Sequence, residues 1–141
     1  MTTNLKFETI IPTQKQIDDL YILLSERKYF ISHSMLPTKK EHKEFVSNYP
    51  YLAWYLIRRG RDLIGSVYVQ HDNSLGININ NLVKEDIINI ISYIKSEHKP
   101  LSAVKSQRRG EFFINVSSDN EDLLRILNEI GAKEIQRSFV V

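Results

Sequence analysis

Four histidines, His33, His42, His71 and His98, are the side chains whose ordinary pKa lies nearest neutrality, and so the first candidates for proton transfer. No two of them stand at i,i+4 with a carboxylate between them, the spacing of a helix-borne metal site, so no protein-bound metal is expected. His71 precedes Asp72 in a polar turn. A base and its orienting carboxylate would have to fold back on each other there, so His71 is expected to act alone if it acts. Cysteine is absent, which excludes disulfides, Cys-ligated zinc and any thiolate nucleophile. Lys95, Lys99, Lys105, Arg108 and Arg109 form a locally basic set, and phosphate contacts need several neighbouring cations. Glu97 and Glu111 interrupt that set, and its only aromatic neighbours, Phe112 and Phe113, begin a strand, so no nucleic-acid partner is expected. Arg108 and Arg109 suit the phosphates of a nucleotide-bearing ligand better.

The scaffold for these residues is written in the spacing of apolar positions. Residues 7–11 read as a short strand, and Thr13-Gln14-Lys15-Gln16 is a capping box that starts a helix. Ile17, Leu20, Tyr21 and Leu24 mark its apolar face, and its end falls near Arg27 or Lys28. A second box, Thr38-Lys39-Lys40-Glu41, opens a shorter helix that buries Phe45, Val46 and Tyr49 before Pro50 stops it. Residues 52–57 and 62–69 form a hairpin, and residues 75–80 alternate as a third antiparallel strand. Val83, Ile87, Ile90, Ile91 and Ile94 then take helical spacing in spite of their β-branching. After a connection over residues 95–110 come a strand at 112–116 and a helix on Leu123, Leu124, Leu127 and Ile130 that Gly131 ends. A closing strand over 135–141 completes the chain. This order predicts one α+β domain over residues 1–141, an α/β three-layer arrangement with a mixed, mostly antiparallel sheet covered by helices.

A charged fraction of 26% beside 42% hydrophobic residues is that of a globular domain. The formal charge of +2 permits an anionic ligand without demanding one. No apolar run is long enough for a secretory signal or a membrane span, so a cytoplasmic location without a membrane partner is expected.

Asn115-Val116 followed by Asn120, Leu123-Leu124, Leu127 and Gly131, with the hairpin segment Ile64-Gly65-Ser66-Val67, resembles the GCN5-related N-acyltransferases, the GNAT superfamily. The resemblance runs through nearly the whole chain in element order. It implies the acyl-CoA N-acyltransferase-like fold, acetyl-CoA or another acyl-CoA as donor, and a small-molecule amine as acceptor. Trp54-Tyr55, Gly65-Ser66-Val67-Tyr68 and residues 112–116 are similar to a subgroup associated with bacterial surface-polysaccharide gene clusters, which implies an aminosugar acceptor. By the same resemblance, the cofactor-binding residues are Ile77, Asn78 and Ile79 of the fourth strand, Asn81, Leu82 and Lys84 leading into the third helix, and Asn115 and Asn120. His33, between the first two helices, borders the acceptor groove of the resembling fold. With His71 and Tyr68 it makes up the candidate catalytic set, and Tyr55 is a further phenol on a central strand.

The chain departs from that pattern in three places. The family's glycine-rich loop reads Asn80-Asn81-Leu82-Val83-Lys84-Glu85-Asp86, without the glycine that lets backbone amides close on a pyrophosphate. Glu85 and Asp86 suit a helix start but repel an anion. Leu127 stands where a tyrosine protonates the departing thiolate, and Asn78 and Asn80 stand where a carboxylate acts as base. Two readings follow: an acyltransferase that works mainly by proximity and backbone oxyanion stabilisation, or a catalytically inactive fold serving as a binding or protein-interaction module. A leucine or valine from residues 82–83 filling the gap between the fourth and fifth strands would remove the cofactor's seat. The resembling fold commonly carries one further strand, so an open edge is expected here, and a homodimer would pair it.

Overall fold

Three consecutive segments of β-branched and aromatic residues build the centre of the sheet, and the computed structural model describes residues 4–27 and 36–141 around them. The elements are β1 (Leu5–Thr9), α1 (Gln14–Ser25), α2 (Lys39–Ser47), β2 (Ala53–Arg59), β3 (Asp62–Val69), β4 (Ser74–Ile79), α3 (Lys84–Glu97), β5 (Phe113–Ile114) and α4 (Glu121–Glu129). The strands lie in the order β1-β2-β3-β4-β5, with the first four antiparallel and β5 parallel to β4.

Strand alternation divides the core into layers. From β2, Trp54 and Leu56 pack with Ile17, Leu20 and Leu23 of α1 and Val46 of α2. Their neighbours Tyr55 and Ile57 face the other way, onto Val67, Val69, Leu75 and the α3 residues Ile90 and Ile94. Beside them α4 adds Leu123 and Ile126 to Ile87, against Ile77 and Ile79 of β4. The result is the expected three-layer α+β arrangement.

Local chemistry adjusts several boundaries. Thr38 and Glu41 form the complete capping box at α2. At α1 only half of the expected box forms: Thr13 accepts from the Gln16 amide, but the Gln16 side chain takes the Ile11 amide and donates to Glu8 and to the Thr9 carbonyl. That clasp ends β1 at Thr9 instead of Ile11. On α2 the buried pair is His42 and Val46 while Phe45 stays exposed, because the imidazole donates from Nε2 to the Ile17 carbonyl.

Two strand expectations are corrected. The strand expected over 112–116 is reduced to Phe113–Ile114, paired only with Ser74 and Leu75. The strand expected over 135–141 is absent; the segment is exposed and pairs with no strand, and propensity does not make a strand without a partner. The connection ahead of β5 is fastened by buried Asn73, which donates to the Leu101 and Arg109 carbonyls and accepts from the Leu101 amide. Among the described residues, no helix is long and apolar enough to cross a membrane.

Candidate functional site

The site follows from where β4 and β5 part. Ser74 accepts from Gln70 and Asn80 donates to Ile64, so the even-numbered residues of β4 turn their main-chain groups to β3. By alternation Leu75, Ile77 and Ile79 turn theirs to the other side. Leu75 is the last β4 residue paired with β5. Beyond it the N–H and C=O groups of Ile77 and Ile79 face a widening gap.

That gap is a cleft of about 280 Å³, walled by residues 77–82, by Leu23, Glu26 and Arg27 where α1 ends, and by Asn120 and Asp122 where α4 begins. A narrow chamber of about 30 Å³ continues from it toward β5, between Asn78 and Asn115, and shares Arg27, Ile77, Asn78 and Asn120 with the larger space. Asn120 also accepts from the Leu123 amide, so its side chain caps α4 while standing at the wall.

The loop without glycine leaves this space open. Leu82 packs on the cluster of Ile87, Leu123 and Ile126 as well as lining the cleft, and Val83 is exposed; neither fills the gap. Helix α3 begins two residues beyond Leu82, with Val83 as its N-cap and no side-chain cap hydrogen bond. Its first-turn N–H groups and the positive end of its dipole suit an anion. Asp86 of that turn is buried and accepts from Arg59 of β2, so its charge is offset away from the cleft. Lys84 lies 3.8 Å from Glu129 of α4 and is not among the cleft walls.

Arg27 is the cation among the described walls, beside the carboxylates of Glu26 and Asp122. Burial lowers its pKa and the neighbouring Tyr68 and Tyr51 raise it again; the guanidinium stays charged. Burial raises the pKa of both phenols, which therefore stay neutral. Their rings stack at 3.9 Å, and the Tyr68 ring lies over Gly76, where any Cβ would fall inside it.

The structure gathers part of the expected set. Ile77, Asn78, Ile79, Asn81, Leu82, Asn115 and Asn120 line the two connected spaces. His71 is exposed in the turn before β4, at the opposite end of that strand from residues 77–82, so strand geometry keeps it from the cleft. Tyr68 packs on Tyr51 and does not line the cleft, and His33 lies outside the described residues. Tyr55 is turned to the α3 layer, its hydroxyl 2.6 Å from His98 Nε2. Arg27, Glu26 and Asp122 were not expected. The available signal was Arg27 standing at i+4 from Leu23 and i+7 from Leu20, a charge in line with an apolar stripe. Among the described residues, no group of three His, Asp or Glu gathers to hold a metal ion.

No family model and no curated protein matches the chain. Solved structures do match it. An acetyltransferase from Thermus thermophilus superposes at TM-score 0.63 with 12% identity, covering 93% of this chain and 88% of that one. The aminoglycoside N-acetyltransferase AAC(6')-Iy in complex with CoA gives 0.60 with 12% identity over 100% and 95% of the two chains. A ribosomal-protein-alanine N-acetyltransferase from Brucella melitensis biovar Abortus 2308 gives 0.58 with 10% identity over 98% and 99%. The chain has the fold of the GCN5-related N-acyltransferases.

Proposed function

We propose that the protein is an acyl-CoA-dependent N-acyltransferase whose donor lies in the cleft between β4 and β5. The observation that carries this reading is the early parting of the two strands, which leaves the N–H groups of Ile77 and Ile79 directed into an open cleft beside the uncapped start of α3. Acyl-coenzyme A bound there would present its thioester carbon to an amine nitrogen; the C–N bond would form as the C–S bond breaks, and the departing thiolate would take a proton from water. The N–H groups of β4 orient the acyl oxygen and stabilise the charge that develops on it. The first turn of α3 receives the pyrophosphate, with Asn81 and Leu82 shaping its approach, and Asn115 and Asn120 line the narrow end.

The carboxylates of Glu26 and Asp122 favour a cationic acceptor. An aminosugar fits that preference, and the aminoglycoside N-acetyltransferase among the similar structures supports it. Close placement of amine and acyl carbon supplies most of the acceleration in this reading, and the ammonium proton leaves to water. A homodimer belongs to the same reading, because among the described residues no strand covers the outer edge of β5.

One observation favours a non-catalytic binding module instead: Leu127, where a proton donor would stand, packs into the cluster of Ile87, Leu123 and Ile126. Calorimetry with acetyl-CoA, followed by a free-thiol assay across aminosugars and simple amines, decides between the two. Saturable binding with thiol release upholds the transferase, and binding without release leaves the module. No binding and no release removes the transferase and favours a protein-interaction module.

A further inference from the structure

The charged walls of the cleft stand at different depths. Glu26, the C-cap of α1, is exposed, and Asp122 in the first turn of α4 keeps 70% of its side chain in water and lies 3.8 Å from Arg125. Arg27 is half-buried, and it walls the narrow chamber as well as the wide cleft, which neither carboxylate does. Its amide donates to the Leu24 carbonyl, so its backbone is tied to the end of α1. Carboxylates thus mark the rim and a guanidinium the interior. A ligand with only positive charge is drawn to the rim and meets like charge further in. One that carries both signs meets its complement at each level.

Arg27 shares both spaces with Ile77 and Asn78 of β4. In the proposed reading the Ile77 N–H serves the acyl oxygen, so a group seated on Arg27 is seated close to the reacting carbon. A planar guanidinium takes a carboxylate through two parallel N–H bonds, which fix orientation as well as position. In an α-amino acid the nitrogen is bonded to the carbon that bears the carboxylate. A carboxylate anchored at Arg27 therefore leaves the amine a short reach from β4, where the Asn78 side chain carries a carbonyl of the kind that accepts from an amine N–H. A simple amine or plain glucosamine offers nothing to the guanidinium.

We propose that the acceptor is a zwitterion, an amine with a carboxylate on the same carbon or close by, and that Arg27 selects it by holding the carboxylate. This rests on the transferase reading and narrows its acceptor. α-Amino acids and aminosugars that carry a carboxylate share the required chemistry. The transfer balances: the C–N bond forms as the thioester C–S bond breaks, the ammonium proton goes to water, and the departing thiolate takes a proton from water. The amide product has lost its positive charge, and with it the attraction to Glu26 and Asp122, which favours its release.

Free-thiol assays at saturating acetyl-CoA compare acceptors that differ in the carboxylate: common α-amino acids against their primary amides, and muramic acid against glucosamine. The primary amides have the less basic amine, so intrinsic availability favours them and a preference for the acid reports the site. At least one acid is expected to exceed its partner about tenfold or more in kcat/KM, and the pair that does so identifies the source. Arg27→Met is expected to abolish that preference, and Arg27→Lys, a charge without the fork, to keep part of it. Equal rates within every pair, or a preference that survives Arg27→Met, overturns the proposal and leaves the transferase standing. Calorimetry of the same acids against the chain in excess coenzyme A reads the site without turnover. Binding that is lost in Arg27→Met, with no thiol released from acetyl-CoA, upholds the carboxylate seat and removes the transferase. Neither binding nor release overturns both.

Discussion

Arg27 stands where the wide cleft meets the narrow chamber, a half-buried guanidinium near two neutral phenols, on walls that also carry Glu26 and Asp122. In the proposed reading it offsets Glu26 and Asp122 when an anionic donor enters. Arg27→Met keeps the apolar stem and removes the charge, so acetyl-CoA binding is expected to weaken about tenfold, or ~1.4 kcal/mol, in calorimetry. An unchanged dissociation constant would rule Arg27 out of donor binding. Tyr68 has a different task. Its ring covers Gly76, so Gly76→Ala forces ring and strand apart and should cost about 1–3 kcal/mol in urea denaturation. In the double variant with Tyr68→Ala that collision is gone, and a cycle of the two changes should be clearly non-additive. Additive losses would show that the ring does not occupy the space above Gly76.

Among the elements, α2 has the most explicit start. Its Thr38 hydroxyl accepts from the Glu41 amide, and the Glu41 carboxylate accepts from the Thr38 amide in return. Thr38→Ala should cost ~1 kcal/mol of stability. The bond from the Thr38 backbone holds the Glu41 pKa below its ordinary 4.5. A carboxyl lowered on folding contributes stability that is fully present above its unfolded pKa and is lost as pH falls through the folded value. The loss of stability between neutral pH and the acid side of 4.5 should therefore be smaller in Glu41→Gln, measured by urea midpoints across that range. An unaltered pH profile would mean that the carboxylate bond does not persist in solution. Helix α3 begins in the opposite manner, its N-cap Val83 making no side-chain cap hydrogen bond, and the proposed anion site uses the amides of that first turn.

For the molecule as a whole, β2 ties the layers together, since Trp54 and Leu56 belong to one core and Tyr55 and Ile57 to the other. Damage to either layer should then unfold both. Trp54 is the single tryptophan of the chain, so its fluorescence reports the α1–α2 side alone. Ile90→Ala, a cavity beneath α3 on the far side of the sheet, should lower stability by about 2–5 kcal/mol. It should shift the fluorescence and circular dichroism midpoints together. Separate midpoints would show two independently melting layers.

Periodicity and capping in the sequence were enough for the helices, the central hairpin, β4 and the layered arrangement, because those signals are local. A helix repeats its apolar face every few residues, a strand every second one, and Thr38 meets Glu41 within a single turn. The fourth-strand residues of the candidate site were expected through the resemblance to the GNAT pattern, and alternation along the strand accounts for which of their amides face the cleft. Arg27, Glu26 and Asp122 were not, because the end of α1 and the start of α4 are brought to one cleft only by packing on the same sheet. Nor was the state of residues 135–141, whose composition suits a strand: a strand exists only where a second backbone lies within hydrogen-bonding reach, and that is settled by where the sheet stops.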